Sequence, residues 1–241
     1  MLTFDEGKHR YTANGKPALP VTTIIGVIDK SGPLMGWALK EAARYVRDEL
    51  ENTWIDPLTE DEVDAVCLNI PKVARKKSKW AADIGTQAHK WIESHIAAQQ
   101  LFEPAPDLPT DELVRACVEK FLAWEMNNHV QYIESERKIY SLKHGYAGTL
   151  DCIAILNDKR VLLDFKTSNG LYPEYNIQTA AYQMAYEEEV NHSIEGRVLL
   201  RIGKEDGSFE DKPLPRCEAD LSDQAFLHCL GLYSWLKQEK G

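Results

Sequence analysis

Two acids and a lysine stand inside strand-like sequence in the second half of the chain. Residues 148–168 read GTLDCIAILNDKRVLLDFKTS, with Asp151 in one apolar run and Asp164 and Lys166 in the next. Because side chains alternate along a strand, Asp164 and Lys166 point to the same face. Carboxylates can hold a hard cation and an ammonium group can stabilise developing negative charge, so this stretch is a candidate reaction centre.

The turn between the two runs sets their register. We expect residues 157–160 to close a hairpin through a two- or four-residue loop centred on the middle pair. Leu156 then pairs with Val161. The same register places Asp151 directly opposite Lys166, on one face of the hairpin.

In that register Asp151 and Asp164 lie diagonally, with Cβ atoms roughly 7–8 Å apart or less, so both carboxylates can converge on one metal ion. The ion would polarise a phosphate and acidify a water, while Lys166 positions that water or stabilises charge. An acid and a lysine alone at a strand end more often form a surface ion pair, worth about 0–1 kcal/mol. The upstream acid in matching register favours metal-dependent hydrolysis of a phosphoester.

A histidine lies on the apolar stripe of a helix expected at residues 80–99. His89 follows Gly85 by four residues. Ile92 and Ile96 continue the stripe, so His89 faces inward. A lone histidine there is more often a core residue than a ligand, but an acid pair that needs a further ligand favours ligation. A nitrogen ligand favours Mn²⁺ or a site that accepts both Mg²⁺ and Mn²⁺.

Three further polar residues are candidates for the same site. Gln178 and Tyr182 are four apart on the following helix, where they could contact a phosphate or orient Lys166. Packing of that face against the sheet is an equally open reading. Glu136 could add an outer-shell carboxylate, but its facing depends on the connection at residues 142–145.

The net charge of −10 speaks against a nucleic-acid partner, since phosphate binding depends on Lys and Arg. The segment 72–79 is basic despite the negative charge of the whole chain. Five of its eight residues are basic: Lys72, Arg75, Lys76, Lys77 and Lys79. Such a run is usually a solvated helix face. Its position ahead of the His89 helix favours a patch that contacts phosphates.

The five cysteines are scattered, which predicts reduced thiols and offers no spacing for a disulfide framework, a zinc site or an iron–sulfur cluster. No apolar run is long enough to cross a membrane, and the first residues do not form an apolar leader. We therefore expect a soluble, cytoplasmic protein with no membrane partner.

The remaining patterns predict an α/β core with helical additions at both ends. Residues 1–20 suggest a peripheral hairpin that turns at Asn14-Gly15, and Thr22 or Thr23 could cap a short helix through Ile28. Further helices are expected at 37–50, 59–79, 80–99, 111–127, 175–189 and 222–237. Three strands are expected within 130–165, broken at 142–145 and 157–160, and a fourth at 197–202. We expect one domain over 1–241, made of a hairpin and helical region (1–79), a catalytic core (80–205) and a helical extension (206–241).

Four motifs, in order, resemble those of the RecB-type exonuclease branch of the PD-(D/E)xK nuclease superfamily: GTQAH at 85–89, GTLD at 148–151, DFKTS at 164–168 and QTAAY at 178–182. The stretches ESERKIYSLKHGYAGTLDCIAIL and LPVTTIIGVI are similar to the mitochondrial genome maintenance exonuclease and to related phage and bacterial nucleases. The resemblance is strongest over residues 80–190 and implies a restriction-endonuclease-like core of helix, three antiparallel strands, helix and strand.

The resemblance also implies a complete site: metal held by His89, Asp151, Asp164 and the Phe165 carbonyl, Lys166 as the catalytic lysine, and Gln178 with Tyr182 beside them. The sequence has no helicase motif and lacks the cluster cysteines of some relatives. It is therefore expected to act alone or with a recombination or single-strand-binding protein.

The expected function is a DNA exonuclease that acts on single-stranded ends in recombination, repair or phage DNA metabolism, in a bacterial or phage-infected cell. An endonuclease would use the same site. A non-catalytic nucleic-acid or protein-binding module on a nuclease fold is the alternative from another class. Hydrolysis of a small phosphoester is a third reading.

Overall fold

The structure, a computed structural model, describes residues 2–5, 7, 10–51, 59–203, 207–217 and 220–239. These residues form a mixed α/β fold with an eight-stranded mixed sheet and six helices. The chain divides into two compact units, one formed by residues 1–28 with 85–241 and the other by residues 29–84. The assignment of the whole chain to one nuclease domain stays a prediction.

The first unit is built on the sheet. Its strands are β1 (Leu2–Asp5), β2 (Arg10–Ala13), β3 (Lys16–Pro20), β4 (Gln131–Ser141), β5 (Tyr146–Leu156), β6 (Lys159–Thr167), β7 (Gly196–Ile202) and β8 (Phe209–Pro215). The order is β1-β2-β3-β5-β6-β7-β8, and β4 pairs with β5 off this path. The β3–β5 and β6–β7 pairs are parallel and the others antiparallel.

The helices are α1 (Val21–Ile25), α2 (Ser31–Glu51), α3 (Glu60–Leu101), α4 (Glu112–Asn128), α5 (Pro173–Val190) and α6 (Ser222–Gln238). One apolar cluster joins α1, α5 and α6 to the sheet, with Tyr146 of β5 at its centre. The Tyr146 ring packs edge-on against Phe226, with centroids 4.7 Å apart. Its hydroxyl donates to the Ala181 carbonyl at 2.8 Å, so α5 is fixed directly above β5.

The other face of the sheet is covered by α4 and the last turns of α3. Ile92 and Ile96 of α3 are fully buried, as is Phe121 of α4. The Phe121 ring meets the ring of Phe165 from β6 edge-on, with centroids 5.7 Å apart. Asp111 is the N-cap of α4, and its carboxylate accepts hydrogen bonds from amides of the first turn. Aspartate is a residue type preferred at this position. In the described part of the chain no helix is both long and apolar enough to cross a membrane.

Most expected elements are confirmed, and two helix predictions are wrong. α1 runs from Val21 to Ile25 after Pro20, with no side-chain cap from either threonine. The helices expected at 59–79 and 80–99 are one continuous helix that contains Pro71. No glycine, proline or capping residue separates them at 79–80, so the hydrogen-bonded ladder continues there.

The strand predictions missed β1 and β8. β8 contains Pro213 and Pro215 and three adjacent charged residues, so it lacks the alternation of a half-buried strand. The prolines are tolerated because β7 is the one described strand that pairs with β8, and an edge strand can lack amide donors on its open side. The N-terminal hairpin does turn at Asn14-Gly15, but it is not peripheral, because β3 pairs with β5.

Candidate active site

A two-residue turn fixes β5 against β6. Asn157 and Asp158 have φ angles of 50° and 63°, the left-handed conformation that these residue types tolerate and that tight hairpins need. Leu156 therefore pairs with Lys159. The expected pairing of Leu156 with Val161 is wrong by two residues.

The observed register moves the acids closer than expected. The last β5–β6 pair towards the site is Cys152 with Leu163. Continued by one residue, this register places Asp151 opposite Asp164, whereas the sequence predicted Asp151 opposite Lys166. A shift of two residues leaves each side chain on its face, so the juxtaposition of the acids survives the correction.

β5 has a gap in its pairing where the GTLD motif lies. β4 covers one edge of β5 along most of its length. On the other edge, β3 pairs with Tyr146 and Ala147, and β6 pairs from Cys152 onward. Among the described strands, none pairs with residues 148–151 on that edge. Within the described residues, the motif thus has a strand edge without a partner strand in the middle of the sheet.

Asp164 and Lys166 form a buried ion pair beside this gap. Lys166 Nζ lies 2.9 Å from Asp164 Oδ1 and 2.7 Å from Oδ2. The first contact has hydrogen-bond geometry and the second does not, so Oδ2 is a buried acceptor with no hydrogen-bond donor. Burial raises the pKa of Asp164 to about 6, against the opposing charge of Lys166.

Asp151 is held from two sides. Its Oδ2 accepts a hydrogen bond from the Phe165 amide at 2.7 Å and lies 3.5 Å from His89 Nε2. Burial would raise the pKa of Asp151, but the contact with His89 and the charge of Lys166 outweigh it and lower the pKa. Asp151 therefore loses its proton at a lower pH than Asp164.

His89 stands between two carboxylates. Its Nδ1 lies 2.6 Å from Glu93 Oε1, while Nε2 faces Asp151. Burial would lower the pKa of His89, but the hydrogen bonds to Asp151 and Glu93 raise it to about 10. An imidazole whose Nδ1–H is held by a carboxylate has the arrangement usual for a histidine that ligates metal through Nε2.

The donor types present suit Mg²⁺ or Mn²⁺, although the described residues contain no group of three or more His, Cys, Asp or Glu already arranged to hold a metal ion. Two carboxylates and one imidazole nitrogen are ligands that these ions accept. Asp164 Oδ2 is buried, and its contact with the Lys166 ammonium at 2.7 Å lacks hydrogen-bond geometry, so this oxygen could accept a metal ion. At Phe165 the site contact is made by the amide, and ligation by its carbonyl stays a prediction.

Glu136 has an unusual backbone conformation within β4. Its neighbours Ser135 and Arg137 pair with Cys152 and Leu150, so Glu136 lies opposite Asp151. Its φ of 49° is unfavourable for a residue with a long side chain and is typical of strained functional positions. Burial, then repulsion by Asp151 and Glu93, raises its pKa to about 7. An outer-shell role stays a prediction.

Two glycines allow close approaches around the site. A Cβ on Gly148 would lie 2.5 Å from Cε1 of Tyr182, and a Cβ on Gly85 would lie 2.5 Å from Oγ1 of Thr167. Tyr182 is buried against β5, and its hydroxyl accepts a hydrogen bond from Gln178 Nε2 at 2.8 Å. Both readings of this pair remain open, because Tyr182 packs on the sheet and also borders the GTLD gap.

The basic residues 72–79 belong to the part of α3 in the second unit. Lys72, Arg75, Lys76 and Lys79 are exposed. Lys77 is half-buried and forms an ion pair with the buried Glu41 at 3.1 Å. Contact of this patch with phosphates stays a prediction.

Sequence reasoning missed several residues that complete the site. Glu93 follows His89 by one helical turn, and that spacing could have identified it. Tyr175 places its ring 5.1 Å from Lys166 Nζ, and Tyr11 bonds Thr149 Oγ1 at 2.8 Å. No local sequence pattern predicts the roles of Tyr175 and Tyr11, because both contacts depend on tertiary packing.

Comparisons with known proteins give remote structural likeness and no sequence match. No protein-family profile and no curated protein matches the chain. A crystal structure described as a "putative exonuclease" from Eubacterium rectale is similar with a TM-score of 0.41 at 12% identity, over 62% of this chain and 64% of that one. An alkaline exonuclease from Laribacter hongkongensis is similar with a TM-score of 0.29 at 11% identity, over 68% of this chain and 97% of that one. The chain thus spans slightly less than two thirds of the Eubacterium rectale protein.

Proposed function

We propose that this protein is a divalent-metal-dependent deoxyribonuclease that hydrolyses phosphodiester bonds, preferentially from single-stranded ends. The observation that carries the proposal is the buried Asp164 carboxylate, held by Lys166 and opposite Asp151 at a gap in the sheet. A buried carboxylate paired with a lysine is costly to desolvate, and buried acids with shifted pKa values are typical of catalytic sites. The order of the sequence motifs supports the assignment to PD-(D/E)xK chemistry, with recombination, repair or phage DNA metabolism as the setting.

His89, Asp151 and Asp164 are the residues that would hold Mg²⁺ or Mn²⁺. When bound, such an ion polarises the phosphate and lowers the pKa of a water. Glu93 holds Nδ1 of His89 and thereby leaves Nε2 directed to the site. The Phe165 amide fixes the Asp151 carboxylate in position.

Lys166 supplies the positive charge of the reaction. Burial would lower the pKa of Lys166, but Asp164 and Asp151 raise it, so the side chain stays an ammonium. It can hold the attacking water or stabilise charge on the phosphate oxygens. The water oxygen bonds to phosphorus, the P–O ester bond breaks, and the departing oxygen takes up a proton.

The test is digestion of end-labelled linear and closed circular single-stranded DNA with Mg²⁺ or Mn²⁺. Loss of linear DNA alone is expected, and Lys166→Ala and Asp164→Asn are each expected to lower the rate by roughly a hundredfold or more. The matched controls are Lys159→Ala and Asp158→Asn at the exposed hairpin end, which should retain the wild-type rate.

Cutting of circles that both site variants abolish would establish an endonuclease instead. Absence of cleavage with either metal, together with retained DNA binding, would replace the nuclease proposal by the binding-module reading. Cleavage of only small phosphoesters would exclude a polymer substrate.

A further inference from the structure

A cavity of about 450 Å³ opens beside the GTLD gap, between the N-terminal hairpin and the sheet. Phe4 and Tyr11 of the hairpin line it together with Thr22 and Thr23 at the start of α1. Thr149 and Glu136 line it from the sheet. The cavity therefore lies next to the candidate active site, because Glu136 lies opposite Asp151 and Thr149 is two residues before it.

The lining combines aromatic surface with uncharged hydrogen-bonding groups. The rings of Phe4 and Tyr11 are packed with centroids 4.4 Å apart, and Phe4 is only partly buried. Thr22 and Thr23 are exposed and contribute to the lining of the cavity as residues that carry a hydroxyl group. Aromatic faces stack on nucleobases with little sequence preference, and hydroxyls bind sugar or base edges.

Charge limits what this cavity accepts. Among the lining residues that the structure describes, none is Lys or Arg, and the ionisable carboxyl group is that of Glu136. Among these described lining residues a phosphate group would meet no compensating cation, and the Glu136 carboxylate would repel it. The pocket thus suits a neutral group with a flat ring and hydroxyls.

We propose that this cavity binds the hydroxyl-ended terminal nucleoside of the DNA strand whose phosphodiester lies at Asp151, Asp164 and Lys166. Phe4 stacks on the base, and Thr22, Thr23 and Thr149 bond the sugar or base edges. A strand that ends in phosphate is disfavoured. The inference rests on the proposed nuclease function but concerns binding, so it is tested without cleavage.

The first measurement is ligand-observed NMR of the metal-free protein at pH 8 with deoxyadenosine and with its 3′- and 5′-monophosphates. Deoxyadenosine is expected to bind about tenfold more tightly than at least one monophosphate, owing to the uncompensated phosphate charge. Phe4→Leu is expected to weaken deoxyadenosine binding about fivefold or more through loss of stacking. Thr22→Val removes one exposed hydroxyl, so the protein should fold normally and bind deoxyadenosine more weakly.

Thr3→Val is the matched control, since Thr3 lies on the same strand as Phe4 and is exposed outside the cavity lining. It should leave binding unchanged. Glu136→Gln is expected to reduce the discrimination against the monophosphates. Equal binding of nucleoside and both monophosphates, or binding insensitive to both Phe4→Leu and Thr22→Val, would overturn the inference.

The second measurement compares digestion of single strands with hydroxyl or phosphate at each end. We expect faster digestion of strands that end in hydroxyl than of strands that end in phosphate, and a smaller difference between the two rates in Glu136→Gln. This result supports a pocket for the terminal nucleoside rather than a site for free nucleosides. Cleavage with no preference at either end, by a protein that binds deoxyadenosine, would assign the cavity to free nucleosides and refute its role in end binding. Deoxyadenosine binding without any cleavage would contradict the nuclease proposal alone.

Discussion

At the scale of single residues, the site carries more acids than bases. The ammonium of Lys166 and the imidazole of His89 face four carboxyl groups from Glu93, Glu136, Asp151 and Asp164. Burial raises the pKa of Glu136 to about 7 and that of Asp164 to about 6, and repulsion by Asp151 adds to both shifts. Binding of a divalent cation, as proposed, would offset this excess of carboxyl groups.

Replacement of Glu93 by Gln tests how His89 is held. Glu93→Gln keeps the side-chain shape but removes the charge that fixes Nδ1 of His89. Loss of such a supporting carboxylate is expected to lower metal affinity by about 10–100-fold. The measurement is calorimetric titration of Mn²⁺ into wild type and variant.

Glu119→Gln is the control for this prediction, because Glu119 is an exposed glutamate paired with Arg115 on α4. It should bind Mn²⁺ as tightly as the wild type. Equal affinity in the Glu93 variant would mean that His89 is not a ligand held through Nδ1.

At the scale of elements, β5 organises the site. Its gap at residues 148–151 exists because two strands share one edge of β5 without meeting. Leu150 and Ile153 both pack in the same apolar cluster although they are three residues apart, so the strict alternation of β5 breaks between them. Asp151 lies in this irregular stretch, where both α3 and β6 reach its carboxylate.

The approach of α5 to β5 predicts the effect of Gly148→Ala. The added Cβ would lie 2.5 Å from the Tyr182 ring, so the ring or the strand must shift. Overpacking of this kind costs about 1–3 kcal/mol of unfolding free energy. Urea denaturation measures the loss, and DNA cleavage should fall with it because Tyr182 borders the gap.

Gly231→Ala gives the opposite sign in the same unit. Gly231 is exposed within α6, and its Cβ would meet nothing within 4 Å. Alanine there should stabilise the protein by about 0.5–1 kcal/mol, through helix propensity. A Gly148→Ala protein as stable and active as the wild type would show that the ring can move at no cost.

At the scale of the whole molecule, charge is distributed unevenly. The chain has a net charge of −10, yet four basic side chains of residues 72–79 are exposed. A protein of this charge should bind DNA through few phosphate contacts and only where cations are concentrated. Lys77 is committed to the buried Glu41, which separates it from the other basic residues of the segment.

The salt dependence of DNA binding tests this distribution. Each lost phosphate contact lowers the slope of log affinity against log salt by about 0.7 for a single strand, so Lys72→Ala combined with Lys76→Ala should lower it by about 1.4. Fluorescence anisotropy with labelled single-stranded DNA in EDTA measures the slope without cleavage. Lys143→Ala, at an exposed loop lysine, should leave it unchanged. An unaltered slope in the double variant would identify the patch as a solvated helix face.

The sequence by itself determined the elements that carry the chemistry. Alternation placed Asp164 and Lys166 on one face, and the helical stripe turned His89 inward, because both periodicities are local properties of the backbone. The turn was located within residues 157–160, but its centre was placed at Asp158-Lys159, whereas the structure turns at Asn157-Asp158. This displacement of the turn by one residue changed the register by two, so Asp151 was placed opposite the wrong residue while the faces stayed correct.

Only the tertiary structure decided which groups meet across elements. β8 was missed because its prolines and charged residues do not show the alternation of a strand, and only its pairing with β7 identifies it as one. The cavity beside the GTLD motif forms because β3 pairs with β5. The end of β3 at Pro20 lies 126 residues before Tyr146, the first residue of β5. A pairing between residues so far apart in the chain leaves no pattern in the local sequence. The contacts of Tyr11 with Thr149 and of Tyr175 with Lys166 have the same origin, because burial and packing create them after the elements are assembled.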